Sequence, residues 1–291
     1  MSDAEAPTDL VAEASQEVET SRLQEGRLEA RPDRVAREEP LEIQVAGTPL
    51  AVTMRTPGHD LELVSGFLVT EGIVAGADQL SSVHHDSQSG EDENLVRVTL
   101  TGNTPFDAEK LRRNLFASSS CGVCGKASRE AALATAPPLQ DPARFAAAFF
   151  LALPESLRSA QLVFDETGGL HAAALFDGRG QLLVTREDVG RHNAVDKVVG
   201  WALRKERMPL SGHVLMVSGR ISFEIVQKAL AARIPAIAAL SAPTSLAVEL
   251  ASDAGILLVG FLRGGAFNVY GAGQRLRPPD ADADLAAGRG C

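Results

Sequence analysis

Cys121 and Cys124, with Gly122-Val123 between them, have the spacing at which two thiols can act together. Such a pair can cycle between dithiol and disulfide, supply half of a zinc site, or carry sulfane sulfur as a persulfide on one thiolate. A zinc site needs two further ligands, but the sequence has no second CxxC, and His84 and His85 are adjacent rather than spaced for a metal. The pair therefore favours redox or sulfur-transfer chemistry, and no metal site is predicted.

Cys121 is the better candidate for the nucleophile. The run Ser118-Ser119-Ser120 and the glycines around the pair predict a flexible loop. A helix is predicted over Lys126–Ala134, and its free amide groups together with the Lys126 ammonium would favour the thiolate of Cys121. The third cysteine, Cys291, ends a polar tail and is interpreted as an incidental thiol.

A second group of residues suits a phosphate-bearing ligand. The segment from Arg186 to Lys197 reads REDVGRHNAVDK and joins a predicted strand to a predicted helix, where bases and free amides can hold a diphosphate. A surface salt-bridge network is the alternative interpretation. Glycine, hydroxyl and arginine residues also follow three later strands, at the place where open α/β sheets bind ligands. The candidate ligand-binding residues are Gly169, His171, Arg186, Asp188, Arg191, His192, Ser218, Arg220, Ser241, Thr244, Phe261, Leu262, Arg263, Gly264, Gly265 and Ala266.

Several familiar nucleotide and zinc motifs do not fit. The sequence contains neither GxxxxGK[ST] nor GxGxxG, so it predicts neither a P-loop nor an ordinary dinucleotide fold. His171-Ala172-Ala173 is similar to the His-Ala-Glu of zinc deaminases, but Ala173 replaces the proton-shuttling Glu and no Pro-Cys-x-x-Cys follows. Deaminase chemistry is therefore disfavoured even for a related fold. A structural histidine is the alternative interpretation of His171.

Alternating strands and helices must position these residues. Leu41–Val45 and Leu50–Met54 predict a β-hairpin, and Asp60 is predicted to cap the helix after it. From residue 171 the elements alternate in the manner of an α/β sheet with parallel pairings. Further strands are predicted over Leu95–Leu100, His171–Phe176, Gln181–Arg186, Val214–Ser218, Pro235–Leu240 and Ile256–Phe261, and further helices over Asp107–Phe116, Pro142–Leu153, Asn193–Lys205, Ser222–Ala232 and Thr244–Ala254.

Length and charge set the domain organisation. The 291 residues suggest about two domains. The net charge of −10 divides into −6 for residues 1–39, −2 for 278–291 and −2 for 40–277, so it does not exclude an anionic ligand. We predict a disordered acidic tail over 1–37, an N-terminal domain over 38–136 that ends in the CGVC loop and its helix, a second domain over 137–277, and a disordered tail over 278–291. No apolar run predicts a membrane span, and the N-terminus does not have the pattern of a secretory signal.

The chain resembles the FdhD family, the formate dehydrogenase accessory sulfurtransferases, over about residues 38–277. The matching segments are TPGHDLELVSGFLVTEGI, SSSCGVCGKAS, TGGLHAAALFD, REDVGRHNAVDKVVG, SGRISFEIVQKAL, SAPTSLAVELA and GFLRGGAFNVY. The resemblance implies a mixed α/β (α+β) protein with a cytidine-deaminase-like three-layer core over 137–277 and a smaller N-terminal α/β domain. It also implies a cytoplasmic homodimer, with no nucleic-acid or membrane partner.

The resemblance further implies a sulfurtransferase required for formate dehydrogenase activity. Cys121, with Cys124 beside it, would accept sulfur from a cysteine desulfurase as a persulfide. The sulfur would pass to the bis(molybdopterin guanine dinucleotide) form of molybdenum cofactor, Mo-bis-MGD, which serves the catalytic subunit of formate dehydrogenase. Phe261–Ala266 matches the segment with which the family binds this cofactor, and GDP would be a partial mimic of it.

Two other functions stay open at the level of the sequence. One is a dithiol–disulfide oxidoreductase, for which the CxxC pair would be sufficient. The other is a non-catalytic carrier or chaperone of molybdenum cofactor, for which the phosphate-type loops would be sufficient. The role of Cys124 is equally open between a second carrier, a resolving thiol and a helper.

Overall fold

A computed structural model of the chain describes residues 7–86, 94–102, 104–107 and 125–277. It shows a mixed α/β protein, which confirms the predicted fold class. The chain divides into two compact units. The first unit contains Met1–Cys124, Ser159–Ala173 and Thr185–Met208, and the second contains Gly125–Arg158, Ala174–Val184 and Pro209–Cys291. Each unit draws on separate stretches of sequence, whereas the predicted domains 38–136 and 137–277 are continuous.

The N-terminal residues form a helix and a hairpin where the sequence predicts the disordered tail 1–37. Helix α1 spans Pro7–Ala14, and strands β1 and β2 span Ser15–Gln24 and Arg27–Ala36. The two strands pair antiparallel along their whole length. The prediction of disorder is therefore wrong for these residues.

The physical reason lies in the register of this charged hairpin. Glu17 lies opposite Arg34 and Arg22 lies opposite Glu29, so acids face bases across the ladder. Such opposite-charge pairs favour a two-stranded sheet. An average over composition, on which the prediction of disorder depended, contains no information about these positions.

A four-stranded sheet follows in the first unit. Its strands are β3 (Glu39–Val45), β4 (Thr48–Arg55), β5 (Leu80–His85) and β6 (Leu95–Leu100). Their order is β4-β3-β6-β5, with β3 antiparallel to β4 and parallel to β6. Leu41, Ile43 and Val45 are fully buried and alternate with less buried residues, as expected for a sheet with one core-facing side. The predicted hairpin and the predicted strand over 95–100 are confirmed.

Helix α2 spans Asp60–Thr70, and its start differs from the prediction that Asp60 caps it. The residue before the helix is His59, which has a left-handed backbone with φ of 61° and gives no side-chain cap. Asp60 lies in the first turn, where its carboxylate accepts hydrogen bonds from Nε and Nη2 of Arg55 at 3.0 and 2.8 Å. The buried guanidinium takes the carboxylate, so the predicted capping role is wrong.

A six-stranded sheet contains the later strands. They are β8 (His171–Phe176), β9 (Leu182–Asp188), β10 (Val214–Val217), β11 (Ala236–Ala239), β12 (Leu257–Arg263) and β13 (Ala266–Gly271), while the short β7 (Phe145–Ala146) pairs with β14 (Leu276–Arg277). The order is β13-β12-β11-β10-β8-β9. β10, β11 and β12 are parallel, and β13 is antiparallel to β12. The four residues of β10 and of β11 are all buried, in agreement with the near-continuous apolar sequence.

The remaining helices alternate with these strands. They are α3 (Gly125–Thr135), α4 (Ala147–Ser159), α5 (Leu162–Thr167), α6 (Arg191–Arg204), α7 (Phe223–Ala231) and α8 (Ser245–Ala254). The helix predicted over 142–153 begins only at Ala147, because Phe145 and Ala146 pair with β14. The helix predicted over 107–116 lies, except for its first residue, outside the described residues. No helix in the described ranges combines the length and the apolar composition that a membrane crossing requires.

Two glycines allow α2 and α6 to cross at close range within the first unit. A Cβ atom on Gly66 would overlap the carbonyl oxygen of Asp196, and one on Gly200 would overlap the carbonyl oxygen of Glu62. Thr70 Oγ1 adds a hydrogen bond of 2.7 Å to the Asp196 carboxylate across the same crossing. The backbones touch directly, so neither position has room for a side chain.

We expect Gly66→Ala and Gly200→Ala each to lower the free energy of unfolding by about 3 kcal/mol, because the added methyl group meets backbone that cannot rotate away. Urea unfolding followed by circular dichroism measures the change. Gly102→Ala is the matched control, since a Cβ there meets nothing within 4 Å. Equal stability of Gly66→Ala and Gly102→Ala would contradict the close crossing.

Candidate functional site

The two cysteines of the predicted sulfur site, Cys121 and Cys124, lie outside the described residues, as does Cys291. Their assignment therefore stays a prediction. The element that follows them is described: α3 runs over Gly125–Thr135, which confirms the helix predicted directly after the pair.

Asp188, a predicted ligand-binding residue, is fully buried in the first unit at the end of β9. Its Oδ1 accepts hydrogen bonds from the amide of Gly190 at 2.8 Å and from Nδ2 of Asn193 at 2.9 Å. Its Oδ2 accepts from the amide of Thr56 at 3.2 Å and pairs with Nζ of Lys197 at 2.8 Å. Both carboxylate oxygens are thus used inside the protein. Asp188 therefore has a structural role.

Lys197 is the partner of Asp188 and is only 1% exposed. Besides the carboxylate, its ammonium donates to the carbonyl oxygens of Thr56 at 2.9 Å and Glu187 at 3.3 Å. All three ammonium protons therefore have an acceptor. A buried lysine is rare unless it is paired in this way. The sequence counts Lys197 among the bases that could hold a diphosphate, whereas its ammonium group is engaged within the protein.

Arg186 and Glu187 are also engaged by neighbours in the first unit. The Arg186 guanidinium pairs with both oxygens of Glu62, at 2.5 Å from Nε and 2.8 Å from Nη2. The Glu187 carboxylate accepts from the amides of Val163 and Phe164 at the start of α5, at 2.9 and 2.8 Å. The interpretation of this segment as a salt-bridge network has direct support here, although the Asp188–Lys197 pair is buried and the Arg186–Glu62 pair is half-buried.

His171 and Arg191 form a second group near the start of α6. Burial, and then the charge of Arg191, lower the pKa of His171 despite the opposing influence of Asp188, so this imidazole is neutral at pH 7. Within the described part of the chain, Nε of Arg191 is buried and has no hydrogen-bond partner. His192 is half-buried beside it, and Gly169 is exposed. Nε of Arg191 is therefore more available to a ligand than the carboxylate of Asp188, whereas the amide of Gly169 already donates to Oγ1 of Thr167 at 3.3 Å.

His59 is a residue of the first unit that the sequence analysis did not select. Burial, and then the charges of Arg186 and Lys197, lower its pKa to about 3. Its side chain lines a cavity of about 40 Å³ together with Thr185, whose Oγ1 is buried and has no hydrogen-bond partner among the described residues. A histidine in the left-handed region is uncommon, and such residues collect at functional sites. The sequence signals are the preceding Pro57-Gly58, which predicts a turn, and the place of His59 in the matching segment TPGHDLELVSGFLVTEGI.

The second unit brings three predicted loops together at one edge of its sheet. The parallel strands β10, β11 and β12 end side by side, so the loops that follow them are neighbours. The amide of Ile221 donates to Ala242 O at 3.1 Å, the amide of Thr244 donates to Ile221 O at 2.9 Å, and the amide of Phe261 donates to Ser241 O at 3.0 Å. The structure therefore brings together the predicted positions Ser218, Arg220, Ser241, Thr244 and Phe261–Ala266.

The side chains at this edge of the sheet differ in how accessible they are to a ligand. Arg220 and Arg263 are exposed, and within the described residues no ion pair engages either guanidinium. Thr244 is the cap of α8, since its Oγ1 accepts from the amide of Ala247 at 3.4 Å. Leu262 is buried. The two arginines are the residues of this edge best suited to an anionic ligand.

The segment Phe261–Ala266 contains the end of β12 and a tight turn into β13, whereas the sequence predicts that the strand ends at Phe261. β12 continues to Arg263, and Gly264 and Gly265, both with positive φ, reverse the chain into β13. Phe261 has a left-handed backbone with φ of 55° and is 36% exposed. The Arg263 guanidinium lies 5.9 Å from the centre of its ring. A strained aromatic residue beside a cation suits a ligand with both a flat ring and negative charge.

Comparison with known proteins agrees with the motifs. A model of the FdhD/NarQ family matches residues 36–277. The Sulfur carrier protein FdhD of Mycolicibacterium paratuberculosis is 52% identical over 260 residues, which cover 87% of this chain and 96% of the relative. The protein of the same name from Streptomyces avermitilis is 50% identical over 262 residues, covering 88% and 93%. That of Sulfolobus acidocaldarius is 46% identical over 259 residues, covering 89% and 97%.

A solved crystal structure has the same fold. It is described as that of a formate dehydrogenase accessory protein of Desulfotalea psychrophila, and it superposes with a TM-score of 0.71 at 24% identity. The match covers 91% of this chain and 100% of that one. At this level of identity the likeness concerns the fold alone.

We expect His59→Asn to weaken the acid sensitivity of the protein, because Asn tolerates the left-handed backbone and does not titrate. The native state keeps His59 neutral to about pH 3, whereas the unfolded chain protonates it near 6.5. The unfolded state therefore binds the extra proton between these values, and the stability contributed by neutral His59 is lost as the pH falls. Between pH 7 and 5 the wild type should lose about 2 kcal/mol more than His59→Asn in urea unfolding. His84→Asn, at an exposed histidine, is the control, and an equal loss in all three proteins would refute the expectation.

Proposed function

This chain belongs to the FdhD/NarQ family, and we propose that it is a sulfurtransferase that carries persulfide sulfur on Cys121 and delivers it to Mo-bis-MGD. One observation carries the proposal: relatives that are about half identical over nearly their whole length are named sulfur carrier proteins, and this sequence has a CxxC pair suited to that chemistry. The donor would be a cysteine desulfurase and the beneficiary a formate dehydrogenase. The protein would work in the cytoplasm as a homodimer.

The loading step exchanges one sulfur–sulfur bond for another. The Cys121 thiolate attacks the terminal sulfur of the persulfide on the donor. A bond forms between Sγ of Cys121 and that sulfur, the donor's bond breaks, and the donor cysteine leaves as a thiolate. No net oxidation occurs, so loading needs no cofactor. The requirement is a thiolate that another protein can reach, for which the predicted loop is suitable.

The delivery step needs two electrons, because sulfane sulfur must leave as sulfide. We assign them to Cys124: its thiolate would attack Sγ of Cys121, form a disulfide and expel hydrosulfide. The hydrosulfide, with one proton from solvent, would replace an oxo ligand of the cofactor, which would leave as water. A cellular dithiol would then reduce the disulfide. In this scheme Cys124 is the resolving thiol, one of the three roles that the sequence leaves open.

The edge of the second unit supports recognition of the cofactor's nucleotide ends. Two exposed arginines, Arg220 and Arg263, can neutralise phosphate oxygens, and Phe261 presents a partly exposed ring for a flat base. Both features belong to segments that the sequence predicted to bind a phosphate-bearing ligand. Asp188 and Arg186 contribute less to this proposal, because their polar atoms are engaged within the first unit.

We expect Cys121→Ala to abolish sulfur loading. The protein is incubated with a cysteine desulfurase and ³⁵S-cysteine and then separated under non-reducing conditions. Protein-bound label should fall at least tenfold in Cys121→Ala and should be released by dithiothreitol in the wild type. Cys124→Ala should load and keep its label, since the resolving thiol is missing.

Cys291→Ala is the matched control and should load like the wild type. Normal labelling of Cys121→Ala would refute the assignment of the carrier residue. Insulin reduction without labelling would instead indicate the dithiol–disulfide oxidoreductase. Cofactor delivery by a protein that lacks both Cys121 and Cys124 would indicate a non-catalytic carrier.

For the ligand edge, we expect Arg220→Ala and Arg263→Ala each to weaken GDP binding about tenfold, because each removes one charge-assisted contact to a phosphate. Isothermal titration calorimetry at fixed salt measures the dissociation constant. Arg144→Ala is the control, since Arg144 is an exposed arginine of the same unit away from these loops in sequence. Similar affinities in all three variants would place the nucleotide site elsewhere.

A further inference from the structure

The N-terminal extension covers part of the first unit. The family model begins at residue 36, so α1 and nearly the whole β1–β2 hairpin precede the matched region. Yet α1 is packed against matched residues: Ala14 is buried with Val163 and Leu170, and Leu10 and Val11 add to the same apolar cluster. This packing gives the extension a defined place on the unit.

Hydrogen bonds hold the C-terminal end of α1 to the base of the hairpin. The amide of Arg37 donates to the carbonyl oxygen of Ala14 at 2.9 Å, and Nε of Arg37 donates to that of Ser15 at 3.2 Å. Nη1 of Arg34 donates to Oγ of Ser15 at 3.1 Å. These contacts anchor one end of α1. Along the rest of the helix, Leu10 and Val11 pack in the apolar cluster and Glu13 also has an interaction with its surroundings.

Beneath α1 lies the cavity of about 40 Å³ described above. Leu10 and Ala14 of α1 form one side of it, and His59, Thr185 and Lys197 are among the residues of the other. A Cβ atom on Gly58 would lie 3.2 Å from Cδ1 of Leu10, so the helix also sits close to the turn before His59. The other lining residues include members of the two motifs TPGHD and REDVGRHNAVDK, together with Thr185 and several apolar residues.

The chemistry of this cavity differs from that of a sealed apolar core. Thr185 Oγ1 is buried and unpartnered within the described part of the chain, and it can both donate and accept. His59, neutral because burial lowers its pKa, can do the same with its two ring nitrogens. Buried polar groups are usually satisfied. Here the groups face a space of a few atoms, and α1 closes one side of it.

Helix α1 is suited to leave this position. It has eight residues, whereas isolated helices shorter than about 12–15 residues are marginal in water, so it depends on its packing. The apolar part of that packing consists of Leu10, Val11 and Ala14. Segments with so few buried contacts open at low free energy compared with the core.

We propose that α1 is a removable cover over this cavity, and that the extension controls the access of small polar solutes to His59 and Thr185. With α1 in place the cavity admits only a group of a few atoms. His59 is half-buried with α1 in place, and with α1 displaced its neutral imidazole and the Thr185 hydroxyl become more exposed to solvent and can bind a polar ligand. The inference concerns solvent access and is independent of whether Cys121 carries sulfur.

The test measures the carbethoxylation of each histidine by diethylpyrocarbonate, a reagent that attacks neutral imidazole. The full-length chain is labelled briefly at pH 7 and digested, and each site is quantified by mass spectrometry. Exposed His84 is the internal reference. We expect Leu10→Glu, which charges the apolar face of α1, to speed labelling of His59 at least fivefold relative to His84.

Leu23→Glu is the matched control, because it makes the same substitution in the same extension at a leucine that is already 67% exposed. It should label like the wild type. Leu10→Ala is a milder change and should label His59 at an intermediate rate. It also provides a second test if Leu10→Glu folds poorly. If the labelling rate of His59 relative to His84 is the same in both Leu10 variants as in the wild type, the proposal that α1 covers the cavity is wrong. That result would leave the ³⁵S experiment unaffected, and failure of the ³⁵S experiment would not affect this one.

Discussion

The buried pair of Asp188 and Lys197 is the interaction on which the first unit depends. It joins the end of β9 to the middle of α6, and through Thr56 it also fixes the chain that leaves β4. Every polar atom of the pair has a partner within the protein. Removal of either partner from a pair this deeply buried typically costs about 3–5 kcal/mol, because the other charge stays buried without compensation. The pair thus sets the geometry of the whole REDVGRHNAVDK segment.

The sequence marks this segment by its charged residues, but it does not separate the charges that are paired inside the protein from those that are not. A strand–helix junction made almost wholly of charged residues is unusual, and the pattern alone marks it as important. It does not show which charges face inward. Asp188 and Arg186 were predicted as ligand contacts, whereas their polar atoms engage Lys197 and Glu62. Partner choice between residues distant in the chain, such as Arg186 and Glu62, is decided by tertiary packing, which local patterns do not contain.

In the remainder of the fold, elements with a local sequence pattern were predictable, whereas features that depend on contacts between distant residues were not. Strands and helices with clear periodicity, such as β10, α7 and β11, were predictable because alternation and helical spacing are local properties. The hairpin β1–β2 was not, because its opposite-charge pairs, such as Glu17 with Arg34, join residues that are distant in the sequence. His59 was missed for a related reason: its left-handed backbone and low pKa arise from burial beside Arg186 and Lys197, far away in sequence.

The cationic side chains described above therefore fall into two groups with different roles. In the first unit the cations Arg55, Arg186 and Lys197 form ion pairs with carboxylates, so their charges stabilise the fold. At the sheet edge of the second unit Arg220 and Arg263 are exposed and unmatched within the described residues, beside a ring that can stack. A guanidinium binds a phosphate well only when no carboxylate already occupies it. Anion recognition should therefore depend on the second group, while the first supplies the rigid framework on which the motif residues around His59 are held.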